Sequence, residues 1–214
     1  MALYYKEDGE QNEQIILFLH GGGVGGWMWD EQVQYFKGKY HCIVPDLPGH
    51  GRSGETDFVS IKDCAFQLIH LLEEKKEDKK IIVVGFSLGA QIAIQMLSQS
   101  PDLIDYAMIN SALVRKVPFG KEMVKPTIKL TYPLIKYRFF SKLQAKQLYI
   151  GPNLFEKYFK DSNRMSLDTL TMVLEENMSF KIPDSYAGVK ASLLITVGEK
   201  ERKVMKSSAI DLLS

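Results

Sequence analysis

The sequence predicts an α/β fold, a mostly parallel, doubly wound sheet carrying a helical insertion. Apolar runs of strand length recur at 15–19, 41–45, 81–84, 106–110 and 191–197, and most are separated by stretches with helical spacing. Several of these runs are apolar throughout instead of alternating, which suits strands covered on both faces of a parallel sheet. One of them, Ile81-Ile82-Val83-Val84, meets Gly85-Phe86-Ser87-Leu88-Gly89 and then a helix-forming segment from Ala90 to Leu97. Strand, sharp turn and helix in immediate succession point to a right-handed crossover unit.

In chain order, Leu3 to Lys6 suits a short first strand, and Asp8-Gly9 a turn. The next strand, Ile15 to Leu19, runs into His20-Gly21-Gly22-Gly23-Val24-Gly25-Gly26, five glycines in six positions after the histidine. Such a loop lets backbone approach a ligand. A phosphate loop is the weaker reading, because the Gly-Lys-Ser/Thr ending is missing and no Gly-x-Gly-x-x-Gly opens a helix in register. Trp27 to Phe36 reads as a helix, His41 to Pro45 as a strand, and Asp46-Leu47-Pro48-Gly49-His50-Gly51-Arg52-Ser53 as a polar turn cluster. Ser60 with Asp63 resembles a capping box ahead of Ile61, Cys64, Ala65, Leu68 and Leu72, which share one helix face. The charge run from Glu73 to Lys80 reads as a solvated helix end and loop. Tyr106 to Asn110 is the next strand. The C-terminal ends of the strands carry His20, Asp46, Ser87 and Asn110, so these residues collect along the edge where open α/β sheets bind ligands.

From Val114 to Ala187 the strand rhythm stops. The stretch is rich in Lys, Tyr, Phe and Met, and its clearest helix is Ser166 to Met178. It is expected to form a helical cap whose aromatic residues line an apolar pocket. The chain then divides into a first core part, 1–113, the cap, 114–187, and a last core part, 188–214. Lys203 to Leu213 reads as the final helix.

The 214 residues suffice for one large domain or a core with an insertion. Lys+Arg of 27 against Asp+Glu of 26 gives no electrostatic case for nucleic acid. Cys42 and Cys64 have no metal-ligand spacing and read as buried thiols in a reducing compartment. There is no signal-peptide pattern at the N-terminus, no apolar run of membrane-spanning length, and no cofactor motif. These features point to a cytoplasmic protein; they do not indicate an oligomeric state.

Taken together, the glycine loop after the second strand, Asp-Leu-Pro-Gly-His-Gly-Arg-Ser after the third, Gly-x-Ser-x-Gly at Ser87, the inserted cap, and Gly198-Glu199-Lys200-Glu201 after a late strand resemble the α/β-hydrolases. The resemblance covers nearly the whole chain, and the order of the motifs is more specific than any one of them. It implies that Ser87 is the nucleophile of an acyl transfer through a covalent ester. It maps the oxyanion hole onto the backbone amides of Leu88 and Gly22, with Gly23 as the alternative. It maps the acid onto Glu201, with Glu199 as the alternative. Asn110 and Ser111 occupy the position from which some members take the acid. A serine at the turn, in place of aspartate, excludes epoxide opening and halide displacement. The implied substrate is a small molecule with an apolar acyl group in an ester, thioester or similar bond, with no cofactor and no metal.

The family also orders its triad as Ser, acid, His, and no histidine follows Ser87. His41 and His70 read as structural, and His20 and His50 sit at positions that do not serve as the base in the family. Only thirteen residues follow Glu201, so a further strand and the histidine loop are expected to be absent here. The chain then reads as a shortened hydrolase of low activity, with an apolar edge at Leu193 to Val197. The rival expectation is a non-catalytic ligand-binding protein on the same fold. A pure interaction module would leave the glycine loop unexplained.

Overall fold

The computed structural model describes residues 3–117 and 120–213; Pro118 and Phe119, inside the expected insertion, lie outside the described residues. Six strands form one sheet: β1 (Tyr5–Asp8), β2 (Gln14–Leu19), β3 (His41–Pro45), β4 (Lys80–Phe86), β5 (Tyr106–Asn110) and β6 (Ser192–Thr196). Their spatial order is β1-β3-β2-β4-β5-β6. All neighbours run parallel except β1, which pairs antiparallel with β3, Tyr5 opposite Pro45 and Asp8 opposite Cys42. The sheet is therefore mixed at one end, and the first strand lies two residues later than the sequence suggests.

Parallel neighbours need crossovers, and helices supply them. α1 (Asp30–Phe36) joins β2 to β3, α2 (Ile61–Lys76) joins β3 to β4, and α3 (Leu88–Gln99) joins β4 to β5. The α1 segment opens with a tighter 3-10 turn at Gly26–Trp29, so the expected single helix from Trp27 is two pieces. α2 starts as read: the Ser60 hydroxyl accepts the amide of Asp63 at 3.0 Å. Between β5 and β6 lie α4 (Gly120–Thr131), α5 (Arg138–Gln147), α6 (Phe155–Arg164) and α7 (Leu167–Ser179), with no strand among the described residues there. α7 is capped by Ser166, which accepts the Thr169 amide. α8 (Lys203–Asp211) follows β6.

The uniformly apolar strands are explained by two layers of core. Alternate residues point to opposite faces of a strand. Ile15, Leu17, Leu19, Ile43, Ile81, Val83, Ala107 and Ile109 pack on one face with α2 and α3. Ile16, Phe18, Cys42 and Val44 pack on the other with Trp29 and Val33. At β5 and β6 the second layer thins. Tyr106 and Leu194, on that second face, are exposed, and β6 forms the sheet edge among the described residues.

Candidate active site

The turn between β4 and α3 is held by backbone crowding. A Cβ on Gly85 would lie 2.5 Å from the Gly89 carbonyl oxygen, and one on Gly89 would lie 2.3 Å from that of Leu19. Neither distance is tolerable, so only glycine lets α3 start this close to the ends of β2 and β4. Ser87 sits between them at φ 53°, ψ −111°, a conformation that costs a non-glycine residue on the order of 1–3 kcal/mol. Its surroundings impose that conformation. The Ser87 amide donates to the Asn110 carbonyl at 2.9 Å, and its carbonyl accepts the amides of Ala90 and Gln91 at 3.0 and 3.1 Å.

The glycine loop at the end of β2 lies against this turn. A Cβ on Gly21 would come within 3.6 Å of the Ser87 Cβ, and one on Gly22 within 3.9 Å of the Leu88 Cβ. Gly23 has φ +78° and open space around it. The Gly22 and Gly23 amides have no acceptor among the described residues. Leu88 is the first residue of α3, so its amide has no intrahelical acceptor. Gly22, Gly23, Ser87 and Leu88 together form one wall of a cavity of about 320 Å³.

The opposite walls come from the inserted helices. Ile128, Ile135, Met165, Leu170, Val173 and Leu174 make them apolar, and Gln144, Tyr158 and Asn177 add neutral polar atoms. No Asp, Glu, Lys, Arg or His lines this cavity among the described residues. Two hydrogen-bonded links, one from buried Gln91 and one part-buried, hold the insertion over it. Gln91 on α3 donates to the carbonyls of Leu113 and Asn177 at 2.6 and 2.9 Å, and its own oxygen accepts the Asn177 side chain. Trp27 Nε1 donates to Asp161 Oδ2 at 2.7 Å; burial pushes the Asp161 carboxyl above its usual range.

Glu201 and Glu199 part company. Glu199 is exposed. Glu201 Oε1 accepts the Ser111 hydroxyl at 2.6 Å and the Gly198 amide at 3.0 Å. Ser111 was not singled out by its sequence context as a partner of the acid. It has φ 57°, is buried, and also reaches Asn110 Oδ1 at 2.9 Å. The carboxylate is thus fixed beside the C-terminal end of β5, two strands from β2 and next to the strand that bears Ser87.

None of the four histidines lines the cavity beside Ser87. His20 is fully buried; its Nδ1–H donates to the Gly21 carbonyl at 2.7 Å and its Nε2 accepts the Leu47 amide at 2.9 Å. Burial lowers its pKa to about 4. It serves to lock the glycine loop against the turn after β3. His50 donates from Nδ1 to the Pro48 carbonyl at 2.9 Å, and burial lowers its pKa to about 3; its Nε2 is buried without a partner among the described residues. His41 pairs with Glu7, and His70 lies exposed on α2 beside Glu73. Asp46 is structural too, accepting the amides of Gly26 and Arg52 at 2.7 and 2.9 Å.

Comparison with known proteins agrees with this architecture. The pattern of the alpha/beta hydrolase family matches residues 16–204. The chain is 29% identical over 125 residues to (E)-2-((N-methylformamido)methylene)succinate hydrolase of Acinetobacter baylyi, covering 56% of this chain and 45% of that protein. It is 32% identical over 104 residues to the pimeloyl-[acyl-carrier protein] methyl ester esterase of Vibrio cholerae, covering 49% of this chain and 38% of that protein. The matched regions thus span less than half the length of these curated relatives. An esterase from Exiguobacterium antarcticum has the same fold, with a TM-score of 0.79 at 16% identity, covering 98% of this chain and 82% of that one. No helix among the described residues is long and apolar enough to cross a membrane. With the family pattern covering most of its length, the chain belongs to the α/β-hydrolase family.

Proposed function

We propose that this protein is a serine hydrolase of acyl bonds, with Ser87 as nucleophile. The observation that carries this reading is the conformation of Ser87, held between two obligate glycines at the wall of a cavity beside unengaged amides. Strain of this kind persists only where neighbouring structure imposes it. In this reading the oxygen of an attacked carbonyl takes hydrogen bonds from Leu88 and from Gly22 or Gly23, which stabilise the charge that develops there. Glu201, oriented by Ser111 and the Gly198 amide, is the acid. Residues 114–187 act as the cap on a core made of 1–113 and 188–214.

The cavity supports an uncharged acyl group. Its lining has no carboxylate, ammonium, guanidinium or imidazole group, so a charged substituent would enter without a charged partner. A volume of about 320 Å³ lies at the lower end of the range of about 300–1,000 Å³ typical of small-molecule sites. The names of the relatives, a methyl ester esterase and a succinate-derivative hydrolase, fit the same class of reaction.

Serine is a weak nucleophile until a base takes its proton. His20 has both ring nitrogens engaged, His50 is buried, His41 pairs with Glu7 and His70 lies beside Glu73, which supports a reading in which none of these four serves as the base. That commitment favours the second reading, a ligand-binding protein with the same cavity and no turnover. Imidazole separates the two. Added to the 214-residue protein, it should raise hydrolysis of an activated short-chain ester above the rate in Ser87→Ala, because it supplies the missing base next to a competent hydroxyl. If both proteins respond alike, the serine is not the nucleophile and the binding reading stands.

A further inference from the structure

We propose that the outward face of α5, with its C-terminal turn, docks the protein on an anionic lipid surface. This inference is independent of the chemistry assigned to Ser87.

Between residues 120 and 149 there are seven basic side chains and one acidic one, leaving 20 basic against 25 acidic in the rest of the chain. A protein of net charge +1 therefore concentrates positive charge on one segment and is net acidic elsewhere. The same segment exposes apolar bulk: Leu130 is 78% exposed, Phe139 78%, Tyr149 89%, with Tyr137, Leu143 and Leu148 also exposed. On α5 the two properties share one face. Ser141 and Ala145 are buried, while Phe139, Lys142, Leu143 and Lys146, at i, i+3, i+4 and i+7, point outward. Lys142 and Lys146 make no direct ion pair among the described residues, although Lys142 lies over the Phe155 ring and acts electrostatically on Glu156; Arg138 pairs with Glu156 and Lys125 with Glu175.

This arrangement fits a bilayer better than a protein partner. Protein interfaces are enriched in Arg and depleted in Lys, and six of the seven cations here are lysines. Flexible lysine stems can lie along an apolar surface while their ammonium groups reach phosphate and carboxylate headgroups. Aromatic and leucine side chains between them would enter the acyl boundary. Clusters of four to eight basic residues on amphipathic helices attract anionic leaflets in this way. From its inner side the same segment lines the cavity with Ile128 and Ile135, so docking would bring a lipid-dissolved ligand beside that cavity.

The test is sedimentation of the 214-residue protein with phosphatidylserine–phosphatidylcholine vesicles and with phosphatidylcholine vesicles alone, across a salt series. The protein should partition to the anionic vesicles about tenfold or more in excess, and rising salt should abolish the difference. Lys142→Glu with Lys146→Glu should lower anionic partitioning about tenfold or more. Phe139→Ser with Leu143→Ser should weaken it while keeping the salt slope. Lys39→Glu with Lys62→Glu, at exposed sites on other elements, should leave it unchanged. Thermal melts check that each variant is folded, and the salt series on the unaltered protein decides the matter if a variant is not. The proposal is overturned by equal or absent binding to both vesicle types, or by equal losses in the α5 and control variants. Retention on an immobilised acidic protein without vesicle binding would assign the face to an acidic polypeptide instead.

Discussion

Replacing Gly89 with alanine tests the close seating of α3 on the end of β2. The added methyl would lie 2.3 Å from the Leu19 carbonyl oxygen, 2.6 Å from its carbon and 2.7 Å from the His20 carbonyl oxygen. All three are backbone atoms of a central strand and the loop after it, so no side chain can rotate away. The helix start or the β2 end must shift. Overpacking in a rigid interior costs about 1–3 kcal/mol, occasionally more, and a clash with backbone belongs at the upper end. At about 2–4 °C per kcal/mol for a domain of this size, the melting temperature should fall roughly 6–12 °C. Two comparisons isolate the cause. Gly38→Ala meets nothing within 4 Å and should be near neutral. Gly23→Ala also meets nothing but has φ +78°, so it should cost only the left-handed backbone penalty, about 1–2 kcal/mol. Thermal and urea unfolding of the three variants measure these differences. A Gly89→Ala protein as stable as Gly38→Ala would refute the close approach of the turn to β2, and with it the geometry assigned to Ser87.

Two further outcomes are expected. His20 and His50 are held neutral by burial to about pH 4 and about pH 3, while in the unfolded chain they protonate near 6.5. Below pH 6.5 the unfolded chain binds more protons, so their contribution is intact above that pH and is lost as pH falls, by about 1.4 kcal/mol per pH unit for each ring. Urea unfolding at pH 7.5 and pH 5 should therefore differ by roughly 4 kcal/mol; an unchanged midpoint would mean the rings are not buried neutral. Gln91→Leu strips partners from the Leu113 and Asn177 carbonyls and from the Asn177 side chain. The Leu113 carbonyl is left buried without a partner, at about 1–3 kcal/mol, while the part-buried Asn177 groups can be hydrated and add less, so destabilisation of about 1–3 kcal/mol is expected in urea, and no loss would contradict the link.

Much of the fold was legible because its signals are local. The apolar runs at β2, β3 and β4 show strands covered twice, and both core layers are present along them. The glycines around Ser87 carry a steric reason that does not depend on distant residues. What escaped the sequence depends on neighbours far along the chain. β1 takes its bounds from antiparallel pairing with β3, and no pattern at Leu3 to Lys6 encodes that register. The turn at Gly26–Trp29 is drawn tight where the Gly26 amide is bound by Asp46, twenty residues on. Ser111 lies 90 residues from Glu201, and its φ of 57° cannot be read from a serine flanked by Asn110 and Ala112. The cavity wall combines Ile128, Gln144, Tyr158 and Val173 from four helices. The aromatic richness of the insertion pointed to such a wall, yet several of its aromatics, Tyr137, Phe139 and Tyr149 among them, face outward.

The central claim is that Ser87 attacks an acyl carbon, and intact-mass analysis after exposure to an activated short-chain ester tests it most directly. If none of the four histidines serves as the base, as proposed, deacylation should be slow, so one acyl group should accumulate on the protein. Proteolysis should place it on the peptide containing Ser87, and Ser87→Ala should remain unmodified under the same conditions. No acyl adduct on the unaltered protein, or an adduct that persists in Ser87→Ala, would contradict the account.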